Sequence, residues 1–220
     1  MTDSRKLLYR SGVLAVLSGP SGVGKNTVLN RLLTQRTDLR YSISVTTRPP
    51  RRGEKDGQHY FFVDREKFRQ LVDQGELLEW AEVYGHYYGT PRRFIEDCLS
   101  SGYSVVLDVD PQGAAQIRQK VPDGVFIFLM PPSWEALEQR IRSRGADSEE
   151  TIVQRLTAAQ KELAAVAEYD YVVLNDDLDR AVEDLSAIVS AETRRVTRTD
   201  YRRFLRERFN QNHYGEGTRP

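Results

Sequence analysis

The chain has 220 residues, with 32 Lys and Arg balanced by 32 Asp and Glu, so its formal charge is zero. A hydrophobic fraction of 39% and a charged fraction of 29% are ordinary for a globular protein with a real core, in one large domain or two small ones. That balance speaks against a chain made to coat nucleic acid or a membrane surface, and one cysteine, Cys98, excludes an intrachain disulfide and a Cys-rich zinc module.

The N-terminus carries Asp3, Arg5 and Lys6, then a short apolar stretch broken by Arg10, Ser11 and Gly12. It does not read as a signal peptide, and no apolar run approaches the roughly 18 residues of a spanning helix, so the cytoplasm is the expected compartment. Val13 to Leu17 is an unbroken β-rich run suited to a strand buried on both faces. A Gly-rich turn follows, then Val28, Leu29, Leu32 and Leu33 at helical spacing. Further buried runs are expected at Val105–Leu107, Val125–Leu129 and Tyr171–Leu174, with helical patterns over 112–120, 133–143, 149–168 and 178–192. Strands alternating with helices imply a parallel sheet covered on both sides.

Two stretches break this rhythm. From about 41 to 90 the chain is rich in Thr, Tyr, Phe, Gly and Arg, with one helical insert near 64–74, and reads as a β-rich insertion into the α/β core. Gly145, Asp147 and Ser148 interrupt two helices around 143–150. After about 192 the chain turns basic, with eight Arg and three acids in 193–220. This tail is expected to be a solvated extension that prolongs the last helix.

Between the first strand and the first helix lies Gly19-Pro20-Ser21-Gly22-Val23-Gly24-Lys25-Asn26-Thr27. Gly, four residues, then Gly-Lys is the spacing of a phosphate-binding P-loop. Glycines let backbone N–H groups wrap a phosphate, the helix N-terminus adds partial positive charge, and Lys25 supplies a point charge. The usual Ser or Thr after the Lys, whose hydroxyl meets Mg²⁺, is replaced by Asn26, and the hydroxyl comes one residue later in Thr27.

The loop is joined by Ser44-Val45-Thr46-Thr47-Arg48-Pro49-Pro50-Arg51-Arg52-Gly53-Glu54, by Gly57 to Phe62 and by Glu79 to Thr90. Leu107 to Gly113, Arg140 through Arg144-Gly145, Arg155-Leu156 and Val173 to Asp177 complete the set. From about Val13 to Ala191 the chain resembles the guanylate kinases, and the combined motifs are far more specific than the P-loop alone. The resemblance implies a P-loop α/β core over 11–40 and 101–193, a GMP-binding insertion over 41–100, a lid over 137–157 and a basic extension over 194–220. It implies phosphorylation of GMP, and of dGMP, by ATP with Mg²⁺.

By that resemblance Gly19 through Thr27 and Asn175 bind ATP, and Ser44, Arg48, Arg51, Tyr60, Glu79, Tyr88, Thr90 and Asp108 bind GMP. Lys25 and the lid residues Arg140, Arg144 and Arg155, with Mg²⁺, would neutralise the transferring phosphoryl group, and Arg48, also catalytic, would hold the acceptor phosphate in line. Arg48 and Arg51 offer bidentate forks to a phosphate, and Tyr60 and Tyr88 can donate hydroxyls to it. A buried Glu79 accepts the N1–H and N2–H donors that distinguish guanine. Asp108, at the mouth of a parallel sheet, is placed for ligand or for Mg²⁺ and its water, with Asn26 the other side chain in reach of the ion.

Plainer readings stand beside these. Arg48 and Arg51 suit solvated loop charges, Tyr60 and Tyr88 core aromatics, and Glu79 an ion-pair partner. Thr90 before Pro91 also reads as a helix N-cap, and Asp110 before Pro111 as another. Asn175 with Asp176 and Asp177 lies near adenine in the family or forms a turn and cap. Arg142 should pair with Glu138, and Cys98 should sit in core on the Phe94, Ile95 and Leu99 side of a helix. Two competing functions are a non-catalytic interaction module of the same fold, which the intact P-loop disfavours, and a kinase for another phosphorylated acceptor, which Ser44, Glu79 and Thr90 disfavour.

Overall fold

The first strand, β1 (Leu14–Ser18), shows why an unbroken apolar run was needed. Val13, Ala15 and Leu17 point into one core, while Leu14 and Val16 point into another on the opposite face. A strand covered on both sides has no solvent face on which polar residues could alternate. The structure is a computed structural model that describes residues 12–83, 85–143 and 148–209.

β1 lies at the centre of a five-stranded parallel sheet. Its neighbours are β7 (Ser104–Asp108) and β8 (Val125–Met130), with β2 (Leu39–Tyr41) and β9 (Tyr171–Leu174) at the edges. The larger core holds the buried side chains of α1 (Lys25–Gln35), α5 (Trp134–Arg142), α6 (Glu149–Ala164) and α7 (Leu178–Glu192). The smaller one lies under α3 (Arg92–Ser100) and α4 (Pro111–Lys120). This is the expected α/β architecture, a parallel sheet flanked by helices.

A second sheet, mixed and four-stranded, comprises β4 (Phe61–Phe62), β3 (Val45–Thr46), β6 (His86–Pro91) and β5 (Leu77–Val83), in that spatial order. The helix α2 (Arg65–Asp73) packs on it through Phe68, which is buried with Val45 and Leu77. This sheet and α2 occupy 45–91, inside the stretch the sequence assigns to the insertion, while α3 sits against β7 through Ile95 of the smaller core.

Local chemistry sets most helix starts. Asp64, Asp110, Ser133, Ser148 and Asp177 accept backbone N–H bonds at the N-termini of α2, α4, α5, α6 and α7. Each such cap contributes about 1 kcal/mol. Asp110 is thus the cap expected of it, and Asp177 shows the turn-and-cap character of its loop.

Four expectations need correction. Thr90 does not cap α3: it is the penultimate residue of β6, and its hydroxyl is engaged elsewhere. Phe94 is 41% exposed, so the core side of α3 is Ile95 with the partly buried Cys98 and Leu99. The last strand is not buried on both faces. Val172 and Leu174 are exposed and only Val173 is core, because β9 is a sheet edge covered on one side.

The tail does not prolong α7, which stops at Glu192 with Thr193 as its C-cap. A 3₁₀ turn over Val196–Arg198 follows, then α8 (Tyr201–Phe209). The Glu192 carboxylate, only 3% exposed, accepts from the Tyr171 hydroxyl at 2.6 Å and pairs with Arg195 at 3.0 Å and Arg198 at 3.6 Å. Arg198 also donates to the Asp123 carbonyl at 2.5 Å. A buried charge needs such partners, and they turn the chain back against the sheet edge.

Candidate active site

The loop after β1 leaves the start of α1 without a side-chain cap. Gly24 is the N-cap residue of α1, at φ 103°, and offers no side chain to cap the helix. Five other helices have Asp or Ser at this position. An uncapped helix start on a glycine turn is what an anion requires. Gly24 is also crowded: a Cβ there would stand 2.8 Å from Asn175 Nδ2. One at Gly22, itself at φ 88°, would stand 2.6 Å from Ile141 Cγ1. Both glycines are therefore demanded by conformation and by space.

The loop's outer carbonyls are tied back into the core. Val23 O accepts from Asn175 Nδ2 at 2.7 Å and from one guanidinium nitrogen of Arg140 at 3.0 Å. The other terminal nitrogen of Arg140 donates to the Asn175 carbonyl at 3.0 Å. With Val23 O turned inward, the loop has its shape before any phosphate arrives. Lys25 Nζ donates to Gly19 O at 2.9 Å and lies 3.8 Å from Asp108 Oδ1. Asn26 and Thr27 are exposed on the first turn of α1.

Asp108 ends β7 beside β1, with Leu17 and Asp108 in register. Burial raises its carboxyl above the ordinary Asp range, and Lys25 pulls the other way. It also links the two sheets. Burial raises the Tyr41 and Tyr60 phenols above their ordinary value, and the nearby Asp108 charge is the next cause for both. Tyr60 is on the acceptor side, so Asp108 lies between the P-loop lysine and the small sheet.

On that sheet Arg48, with its side chain 10% exposed, pairs with Glu54 Oε1 at 2.8 Å. The guanidinium lies 5.4 Å from the Tyr60 ring centre and 5.9 Å from that of Phe62. The Glu54 hydrogen bond, opposed by burial and helped by Tyr88, raises its already high pKa. Glu54 Oε2 accepts the Arg51 amide at 2.6 Å, and Arg48 holds the Glu54 carboxyl below its usual range. Arg51 is exposed, and Tyr60 meets Tyr88 edge-on with ring centres 6.0 Å apart.

Glu79 is the deepest acid of this region, 5% exposed on β5. Its Oε1 accepts the Thr90 hydroxyl at 2.5 Å across the β5–β6 pairing. Burial pushes its carboxyl up to about 7, against the lowering effect of Thr90. Its Oε2 faces the first turn of α4, where a Cβ on Gly113 would stand only 2.9 Å away. Ser44 lies just before β3, partly buried, and its carbonyl takes the Phe61 amide at 2.9 Å.

Two clusters thus come together from the predicted residues: Gly19–Thr27 with Asn175 and Arg140, and Arg48, Tyr60 and Tyr88 beside Glu79 and Thr90. Asp108 lies between them. Arg155 is partly buried on α6, and Arg144 lies outside the described residues. Arg142 pairs with Glu138 as expected and also with Glu149, each at 2.8 Å. Reading from sequence missed three residues. Glu54 follows the arginine loop, and its three-residue spacing from Arg51 was a visible signal. Gly113, beside Glu79, and Glu162 of α6, whose Oε2 accepts the Ser21 amide of the phosphate loop at 2.9 Å, had none, since each meets a residue remote in sequence.

A glycine-rich loop of P-loop spacing set against a separate sheet that carries Arg48, Tyr60, Tyr88 and Glu79 fits the class of P-loop kinases that take a small phosphorylated acceptor. Comparison with known proteins makes the class specific. The guanylate kinase family model matches residues 11–192. The guanylate kinase of Caldanaerobacter subterraneus subsp. tengcongensis is 51% identical over 191 residues, covering 87% of this chain and 93% of its own. That of Desulfitobacterium hafniense is 52% identical over 190 residues, covering 86% and 95%. A crystal structure of guanylate kinase from Anaplasma phagocytophilum, 40% identical, superposes with a TM-score of 0.78 and covers 93% of this chain and 98% of that one. The chain belongs to the guanylate kinase family and is a nucleoside monophosphate kinase.

Proposed function

We infer that the chain transfers the γ-phosphoryl group of ATP to the phosphate of GMP, releasing ADP and GDP, and that it takes dGMP as well. Family membership supports the reaction. The single observation that carries the choice of base is Glu79, a buried carboxylate with one oxygen on Thr90 and the other facing the small residue Gly113. Ionised, it accepts guanine N1–H and N2–H together, and adenine has no such pair to offer. Ser44 and Thr90 complete the base pocket.

Phosphoryl transfer asks for alignment and charge neutralisation rather than a covalent nucleophile. The amides of the loop and of α1 hold the donor phosphates, and Thr27 lies one residue further into the first turn. Lys25, freed from Gly19 O, follows the transferring group. Arg48 exchanges Glu54 for the acceptor phosphate, with Arg51, Tyr60 and Tyr88 around the same anion. Arg140, Arg144 and Arg155 form the lid face, and closure excludes water. Asn175 lies at the adenine end of the donor site.

Among the described residues no cluster of three His, Cys, Asp or Glu side chains is gathered as a metal cage. One carboxylate beside a phosphate site does suit Mg²⁺, which keeps waters and nucleotide oxygens as ligands. Asp108, or the Asn26 amide oxygen, would hold it or its water, and the ion would neutralise charge on the β- and γ-phosphates. Among the described residues no helix is long and apolar enough to cross a membrane. A cytoplasmic location accords with the lone cysteine. Turnover measured with GMP, dGMP, AMP, CMP and UMP tests the assignment: GMP and dGMP should exceed the others by at least about 10³ in kcat/KM. Comparable use of AMP would overturn it.

A further inference from the structure

The lid helix α6 carries a contact that the residues above do not explain. Glu162 Oε2 accepts the backbone N–H of Ser21, inside the phosphate loop, at 2.9 Å across 141 residues of sequence. A carboxylate is an unusual neighbour for a loop built to hold polyphosphate, because the two like charges repel. The position of the contact on the helix supplies a reason.

Glu162 and Arg155 are seven residues apart on α6. Seven residues are nearly two turns, so the two side chains share a face, with about 10 Å of helix between them. Ile152 and Ala159, also seven apart, are the buried pair that seats α6 in the larger core. The other lid helix is tied to the same loop with opposite polarity. Arg140 of α5 donates to the Val23 carbonyl, two residues from Ser21. One helix is anchored by a cation on a loop carbonyl, the other by an anion on a loop amide.

We propose that Glu162 is a positioning residue of the phosphoryl-transfer site: by pinning the C-terminal end of α6 to Ser21 N–H it sets where Arg155 stands over the phosphate loop. The proposal rests on the reading of Arg155 as a lid arginine. Its consequence lies in the chemical step. An arginine displaced by about 1 Å loses much of its effect on the transferring group, while loop amides elsewhere still bind ATP.

The test compares Glu162→Ala, Glu162→Gln, Arg155→Ala and the double variant Glu162→Ala/Arg155→Ala in steady-state kinetics, with ATP affinity by titration and thermal melts of each. Gln keeps an acceptor oxygen at the same reach. Glu162→Ala should lower kcat roughly tenfold or more with ATP affinity changed by less than about threefold, and Glu162→Gln should stay within about threefold of the parent. The double variant should be no slower than Arg155→Ala by more than about twofold, since one effect passes through the other. If Glu162→Ala does not fold, Glu162→Asp takes its place: its arm is one carbon shorter, and its kcat should fall while that of Glu162→Gln holds. A parent-like kcat in Glu162→Ala beside a slowed Arg155→Ala would overturn the inference alone, as would losses that multiply in the double variant. An Arg155→Ala enzyme as fast as the parent would overturn the lid reading and the inference with it.

Discussion

The donor and acceptor sides of this enzyme meet their ligands in different states. At the donor side the chain has already completed its internal bonds. Val23 O is doubly occupied by Asn175 and Arg140, Gly22 and Gly24 are packed against Ile141 and Asn175, and Ser21 N–H is held by Glu162. The amides at the start of α1 are the groups left to the ligand. At the acceptor side the charged groups are occupied by stand-ins. Glu54 sits on Arg48 and on the Arg51 amide in the manner of a phosphate, and Glu79 accepts the Thr90 hydroxyl and is lifted toward neutrality by burial. The donor loop is therefore preorganised, whereas on the proposed reading GMP binding displaces Glu54 from Arg48 and is linked to loss of the Glu79 proton. The loop leaves the central strand of a sheet covered on both faces, while the acceptor groups lie on and beside the small sheet, between α2 on Phe68 and the first turn of α4.

The largest break in this comparison should come from Lys25→Ala. Removing that charge should cost about 10²–10³ or more in kcat, because nothing else in the loop follows the transferring group. Asn26→Ala should retain substantial activity at saturating Mg²⁺ with a raised Mg²⁺ requirement. A Mg²⁺ titration of both variants checks this, and equal inactivity would make Asn26 a direct catalytic ligand.

On the acceptor side Glu79→Ala should lower kcat/KM for GMP by about 10²–10⁴ and leave ATP affinity nearly intact. Unchanged GMP kinetics would remove Glu79 from the site. Gly113→Ala should act in the same direction but less, since its methyl presses on the Glu79 carboxylate.

The pH dependence separates the two sides further. On the proposed reading guanine takes ionised Glu79, whose carboxyl is pushed by burial up to about 7 in the ligand-free enzyme. KM for GMP should therefore fall as pH rises and level off above about 7, and Glu79→Gln should flatten that profile. For stability the sign is opposite. A carboxyl raised by folding favours the fold while protonated, fully below its unfolded value of 4.5, and this contribution fades as pH rises through about 7. Melts of parent and Glu79→Gln from about pH 4 to 8 measure the difference.

The smallest kinetic effect should come from the tail, whose Arg195 and Arg198 hold Glu192 and the Asp123 carbonyl. Truncation after Thr199 should leave kcat and Tm near those of the parent. Truncation after Glu192 should leave kcat near normal but lower Tm by about 5–10 °C, because it strips Arg195 and Arg198 from a buried carboxylate. Combining the shorter truncation with Glu192→Gln should recover part of the loss.

The sequence by itself determined the features whose signals are contiguous. The run Val13–Leu17, the glycine loop and the amphipathic start of α1 follow one another, so strand, phosphate site and helix were legible together, as were the caps Asp110 and Asp177. The buried parallel sheet followed from apolar runs alternating with helical patterns. Tertiary structure alone decided the partners. Thr90 looked like a cap because Pro91 follows it, yet strand pairing places its hydroxyl on Glu79. Val172 and Leu174 looked buried by composition, yet an edge strand has a covered and an open face. Asn175, Arg140 and Glu162 reach the phosphate loop across 152, 117 and 141 residues. A side chain's type restricts which bonds it can make, but only the packing of distant helices decides which group stands within 3 Å of it.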